Sequence, residues 1–166
     1  MKTFLKNSLV LAWVFLVIRI YLSYTWLTNA ESKLIFDFDI TAMLEAQVNS
    51  GNLPSWWAEF MNLFVLQNTN LFEFLVTVGE LSVGIALLIG IFTRFSAMMG
   101  ALMNFSFLMT FQSSLDLRML ILHVLLVLFA TSAGRIGLDR YIINFPSTVF
   151  KQLKKRFNSK RRGTYA

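Results

Sequence analysis

Four stretches of this chain are apolar almost without interruption: residues 4–27, 71–92, 95–112 and 117–133. Each is close to the ~20 residues a helix needs to cross a bilayer core. None alternates with the period of two that marks a half-buried strand. Residues 29–70, between the first two stretches, follow a different pattern. Thr41–Val48 reads as a short amphipathic helix broken by Ser50-Gly51-Asn52. A second helix is expected over Pro54–Leu66, because proline loses nothing in a first helical turn. Its Trp56, Trp57, Phe60 and Phe64 suit the headgroup level or a lid packed on the bundle. Asn70-Leu71-Phe72-Glu73 has the form of a capping box at the start of the second long stretch. The third stretch carries Ala97, Gly100, Ala101 and Asn104 at helical spacing, a small-residue stripe suited to close helix packing in lipid.

The pattern therefore predicts an all-α polytopic membrane protein, a four-transmembrane-helix bundle spanning residues 1–140. A short interfacial helical insertion lies between helices 1 and 2, and residues 141–166 form a basic amphipathic tail helix along the membrane surface.

Composition agrees. The 166 residues are 56% hydrophobic and 14% charged, with a mean hydropathy of +0.61. Ordinary globular domains are about 45–50% apolar and about 25% charged. The basic, apolar amino terminus has the look of a signal peptide, but Arg19 interrupts the run and Thr28-Asn29-Ala30 is a poor cleavage site, so the segment is expected to stay. The chain contains no cysteine, which removes disulfides, thiol chemistry and Cys-bound metal from its repertoire. With one histidine, no metal site is expected, and no Gly-rich phosphate loop occurs.

Charge sets the expected topology. The amino terminus, the Thr93-Arg94 turn and the tail are basic; from Arg135 onward nine cationic side chains face Asp139 alone. Residues 29–70 hold five acidic side chains against Lys33. With four spans, the basic segments share one side, and the positive-inside rule places both termini in the cytoplasm. Beside a membrane span, the tail is expected to meet anionic lipid headgroups rather than nucleic acid.

The candidate chemistry centres on Glu80, in the middle of the second span. An ionisable group there is costly, faces the bundle interior and takes a partner. Arg19, slightly past the middle of the first span, is the expected partner. Asn104 and His123 fall at similar or adjacent depths, and Trp26, Tyr21 or Tyr24 would wall the space between them. Two readings stand side by side. The Arg19–Glu80 pair either fixes helix register, as buried ion pairs do, or forms with Tyr24, Trp26, Asn104 and His123 a polar pocket for a lipid-soluble ligand such as a quinone. His123 is either a packing residue bonded to a carbonyl or a proton exchanger beside a reducible ligand.

Three segments carry a resemblance: Arg19-Ile20-Tyr21 through Trp26-Leu27 and Lys33-Leu34, the block Gly79 to Arg94, and Gly134-Arg135-Ile136-Gly137-Leu138-Asp139. They resemble the DoxX/DoxD family of four-helix bacterial membrane proteins, in its E-x-x-x-G…L-G…T-R span and its closing G-R-x-S-L-D signature. Two positions depart from that pattern: Ser23 or Asn29 stands where glycine is common, and Gly137 where serine is. The resemblance implies a subunit of the bacterial cell membrane associated with redox chemistry, with quinone as a non-covalent cofactor and a redox protein as partner. If enzymatic, it implies a quinone-linked oxidoreductase subunit rather than a self-sufficient enzyme. A scaffold that anchors a partner enzyme is the alternative. A small-solute transporter, in which a homo-oligomer supplies the path, is the third reading, disfavoured because neither inverted repeats nor broken helices are evident.

Overall fold

The computed structural model describes residues 9–36, 39–129 and 136–139. Six α-helices, and no strand, occur among the described residues: α1 (Leu9–Ile35), α2 (Thr41–Asn49), α3 (Ser55–Phe60), α4 (Thr69–Ile89), α5 (Thr93–Phe111) and α6 (Ser114–Leu128). The expected tail helix over 141–166 lies outside the described residues, as do Gly134 and Arg135.

The expected boundaries shift in informative ways. The first helix does not stop at Leu27 but runs two turns further, to Ile35. Its last turns carry Glu31 and Ser32 on the outer face and Ala30 and Lys33 on the inner one, and nothing in Thr28–Lys33 breaks a helix. α3 begins after Pro54 and does not stand apart from the next helix. A wider π-type turn at Met61–Val65 and a tighter turn at Leu66–Asn68 carry the helical run into α4. The capping box does not form. α4 starts at Thr69, and the Glu73 carboxylate instead accepts the N–H of Ile40 at 2.9 Å, tying the insertion to the bundle.

Local chemistry ends each helix. Gly90 closes α4 in the left-handed region (φ 68°), and the N–H of Ile91 reaches back to the Ala86 carbonyl at 3.0 Å, a Schellman-type stop. Gln112 ends α5, and the Ser113 hydroxyl caps α6 by accepting the Leu115 N–H. Asp116 sits in the first turn of α6, where a negative charge suits the helix dipole. The Asp39 carboxylate accepts the Thr41 N–H ahead of α2, and that bond holds its pKa below the ordinary range.

α1 packs antiparallel along α4, α5 along α6, and α6 closes back on α1. The shared core holds Phe15, Leu22, Trp26, Val83, Leu87 and Met119. A second cluster under the insertion joins Leu44, Trp57, Met61 and Val65 to the ends of α4 and α5, and Trp57 Nε1 donates to Thr110 Oγ1 at 3.0 Å. The insertion is therefore a lid packed on the bundle.

Polarity runs inside out relative to a soluble bundle. Arg19, Ser23, Glu80, Asn104 and His123 are buried, while Trp13, Val17, Phe74, Val78, Phe95, Phe105, Ile121 and Val124 point outward. Soluble monomers do not expose apolar surface on this scale. The runs Val10–Ile35 and Ser55–Ile89 are each long and apolar enough to cross a membrane.

Candidate functional site

Glu80 is 1% exposed on the inward face of α4. Its Oε1 accepts a hydrogen bond from Lys33 Nζ within an ion pair, and among the described residues Oε2 has no partner. Lys33 belongs to the last turns of α1 and is 15% exposed. Its ammonium lies 5.7 Å from the ring centroid of Phe107 on α5, within cation–π range. A cavity of about 190 Å³ surrounds the pair and is lined also by Asn29 and Asp116. It adjoins an apolar cavity of about 510 Å³ beneath the lid; both share Ile40, Val76, Phe107 and Phe111.

The expected Arg19–Glu80 pair is not formed. Arg19 Nε donates to the Leu87 carbonyl at 3.0 Å and Nη2 to that of Leu88 at 3.4 Å, while Nη1 donates to Ile136. Two geometric facts explain the difference. The Ser23 hydroxyl meets the Gly84 carbonyl at 2.7 Å, which sets the α1–α4 register and leaves Glu80 level with Leu27, two turns beyond Arg19. Side chains on a helix also lean toward its N-terminus. Arg19 therefore reaches away from Glu80, and Lys33 reaches back toward it.

Arg19 instead locks the opposite end of the bundle. Its guanidinium sits on the last carbonyls of α4, where a cation complements the helix dipole. The segment 136–139 folds onto the same spot: Asp139 N–H donates to the Gly90 carbonyl at 2.8 Å, and Asp139 Oδ2 accepts the Thr93 N–H at 2.9 Å, capping α5.

Trp26, Asn104 and His123 do come together, in a buried triad. Trp26 Nε1 donates to His123 Nε2 at 3.1 Å, and His123 Nδ1 lies 2.8 Å from the Met119 carbonyl. An indole can only donate and a carbonyl can only accept, so the ring is the neutral tautomer with its proton on Nδ1. The Asn104 amide lies 3.2 Å from that nitrogen. The consistent orientation turns the amide oxygen toward Nδ1–H, which also gives that buried oxygen its partner. Both ring nitrogens are thereby hydrogen-bonded within the bundle, one of them to a backbone carbonyl.

The small-residue stripe explains how this triad fits. A β-carbon at Gly100 would lie 2.6 Å from His123 Cδ2, and the ring is held on both sides. Gly100→Ala is expected to destabilise the protein by about 1–3 kcal/mol through overpacking. A lowered melting temperature in detergent would register this; an unchanged one would mean that the imidazole can move aside.

Tyr24 is not brought to the site. It is 68% exposed and points away from the bundle. Lys33, Phe107 and Asp116 are the residues that the expected pocket lacked. One signal pointed to Lys33: between Arg19 and Arg94 it is the sole Lys or Arg in the chain. Phe107 and Asp116 left no comparable mark.

An all-helical chain with an outward apolar surface and a buried polar interior defines an integral membrane protein. The sequence profile of the DoxX family matches residues 14–113, more than half of the chain, and the protein belongs to that family. Arg19, Lys33, Glu80 and Asn104 fall inside the matched region, whereas His123 and the segment 136–139 lie beyond it. No curated protein and no solved structure matches the chain significantly.

Proposed function

We propose that the protein is a multi-pass subunit of the bacterial cell membrane that binds a quinone-type, lipid-soluble small molecule at the Lys33–Glu80 pair. In this reading α1, α4, α5 and α6 each cross the bilayer. α5 has 19 residues, about 28 Å of helix, and α5 and α6 both turn apolar faces outward. The acidic insertion faces outward from the cell, and Arg94, both termini and the basic tail face the cytoplasm, with the tail on anionic lipid.

The observation that carries the binding reading is the buried Glu80 Oε2, without a partner beside an ammonium at the edge of a cavity. Buried polar atoms are nearly always hydrogen-bonded, so one on a residue that lines a cavity suits a ligand's polar group. The two side chains are complementary to both redox states. The Lys33 ammonium donates to a quinone carbonyl, and the Glu80 carboxylate accepts from a quinol hydroxyl. A bound quinone would supply two-electron, two-proton carriage. The chain would hold it while a partner protein handles the electron donor.

Glu80→Gln keeps the shape and removes the charged acceptor. Purified in mild detergent, this variant is expected to bind a short-chain quinone analogue about tenfold or more weakly, the scale of a hydrogen bond to a charged group. Quenching of tryptophan fluorescence measures it, with circular dichroism confirming the fold. Undiminished binding by the folded variant would remove Glu80 from the site. A folded wild-type protein that binds no quinone would favour an anchor for a partner enzyme.

A further inference from the structure

We propose that the larger cavity is a channel for the hydrocarbon tail of the ligand, entered sideways from the bilayer through the cleft between α4 and α5, where the flexible end of Met103 beside Gly79 forms the doorway. This rests on the preceding reading for the ligand's head at Lys33–Glu80. Three features of the cavity point to it. First, it adjoins the polar cavity: Ile40, Val76, Phe107 and Phe111 line both, so a ligand whose head sits in one has the other beside it. Second, its lining includes Leu75 and Leu102, which are 51% and 58% exposed on the outward faces of α4 and α5. A cavity walled by such residues opens to lipid. Toward the lid it is roofed by Trp57, which is bonded to Thr110.

Third, the doorway at Gly79 is occupied only by the flexible end of Met103. A β-carbon at Gly79 would lie 3.0 Å from Met103 Cε on the facing helix. Alanine there would displace only the flexible end of a methionine, whereas a bulky side chain would fill the cleft. The volume, about 510 Å³, falls within the usual range of small-molecule sites. A tail that moves from lipid into this channel exchanges one apolar surrounding for another and gains little. The channel thus serves access and orientation: it lets the head reach a buried ion pair without dragging the tail through water.

The test compares two quinones with the same ring, one bearing a decyl tail and one a methyl, on wild type, Gly79→Ala and Gly79→Phe, with melting profiles confirming the fold. Gly79→Phe is expected to weaken the decyl compound by about tenfold or more, as a filled pocket does, and to leave the methyl compound unchanged. Gly79→Ala should bind both as wild type does. Equal binding of both compounds by wild type and Gly79→Phe would overturn the channel. A long-chain alcohol with a terminal diazirine gives a readout independent of the head. Expected are photoadducts on Trp57 or Phe111 in wild type that disappear in Gly79→Phe. No adduct there in wild type would overturn the channel even if the ring binds. Adducts without ring binding would uphold it and overturn only the quinone reading.

Discussion

Lys33→Met alone is expected to lower stability by about 3–5 kcal/mol, because it leaves the buried Glu80 carboxylate without its counter-charge. The double variant Lys33→Met/Glu80→Gln should recover most of that loss, since no uncompensated charge then remains. The reverse single change, Glu80→Gln, should be milder. Lys33 stands near the end of α1, is 15% exposed, and can swing its ammonium outward on a flexible stem. Glu80, fixed at 1% exposure on a central turn, has no such retreat. Thermal unfolding of the three variants in one detergent gives the double-mutant cycle, with a coupling of about 3 kcal/mol or more expected. Single losses that simply add would show that the two charges do not hold each other.

Arg19→Lys is expected to destabilise almost as much as Arg19→Met, by about 3 kcal/mol, although it preserves the charge. The guanidinium spans three carbonyls, those of Leu87, Leu88 and Ile136, from two separate parts of the chain. A lysine has neither the fork nor the reach to serve all three. Loss of the bridge should also free residues 136–139 from the α4–α5 turn. Melting temperature measures the first effect, and limited proteolysis near Leu138 the second. A lysine variant that melts with wild type and resists protease would mean that charge alone does the work.

Helix type and order were legible in the sequence because long apolar runs without breakers leave a chain in lipid few alternatives. The lid was legible for the same reason: Pro54 and Gly51 punctuate it, and its tryptophans demand cover. The end of α1 was not. Residues 28–35 average out as polar, but average polarity says nothing about direction. Glu31 and Ser32 point outward, while Ala30 and Lys33 turn inward. The pairing of charges was missed for a related reason. Depth along a helix locates a Cα, whereas a long side chain ends more than a turn away, toward the helix N-terminus. Arg19 and Glu80 looked level by position, yet the leaning side chains part them and bring in Lys33. Burial of Trp26, Asn104 and His123 was readable as a shared layer. Their mutual hydrogen bonds depend on ring orientations that no spacing encodes.

The Arg19 bridge has a consequence for how the protein is made. As the chain leaves the ribosome, this arginine emerges with the first helix, but the Leu87 carbonyl follows 68 positions later and that of Ile136 117 positions later. At about 5–20 residues per second, the first helix precedes these acceptors by several seconds. The Ile136 carbonyl arrives only after the six described helices have been synthesised. The closing segment therefore acts as the latch that completes assembly, and the order of synthesis makes an early-terminated chain distinguishable from a finished one by whether that latch has closed.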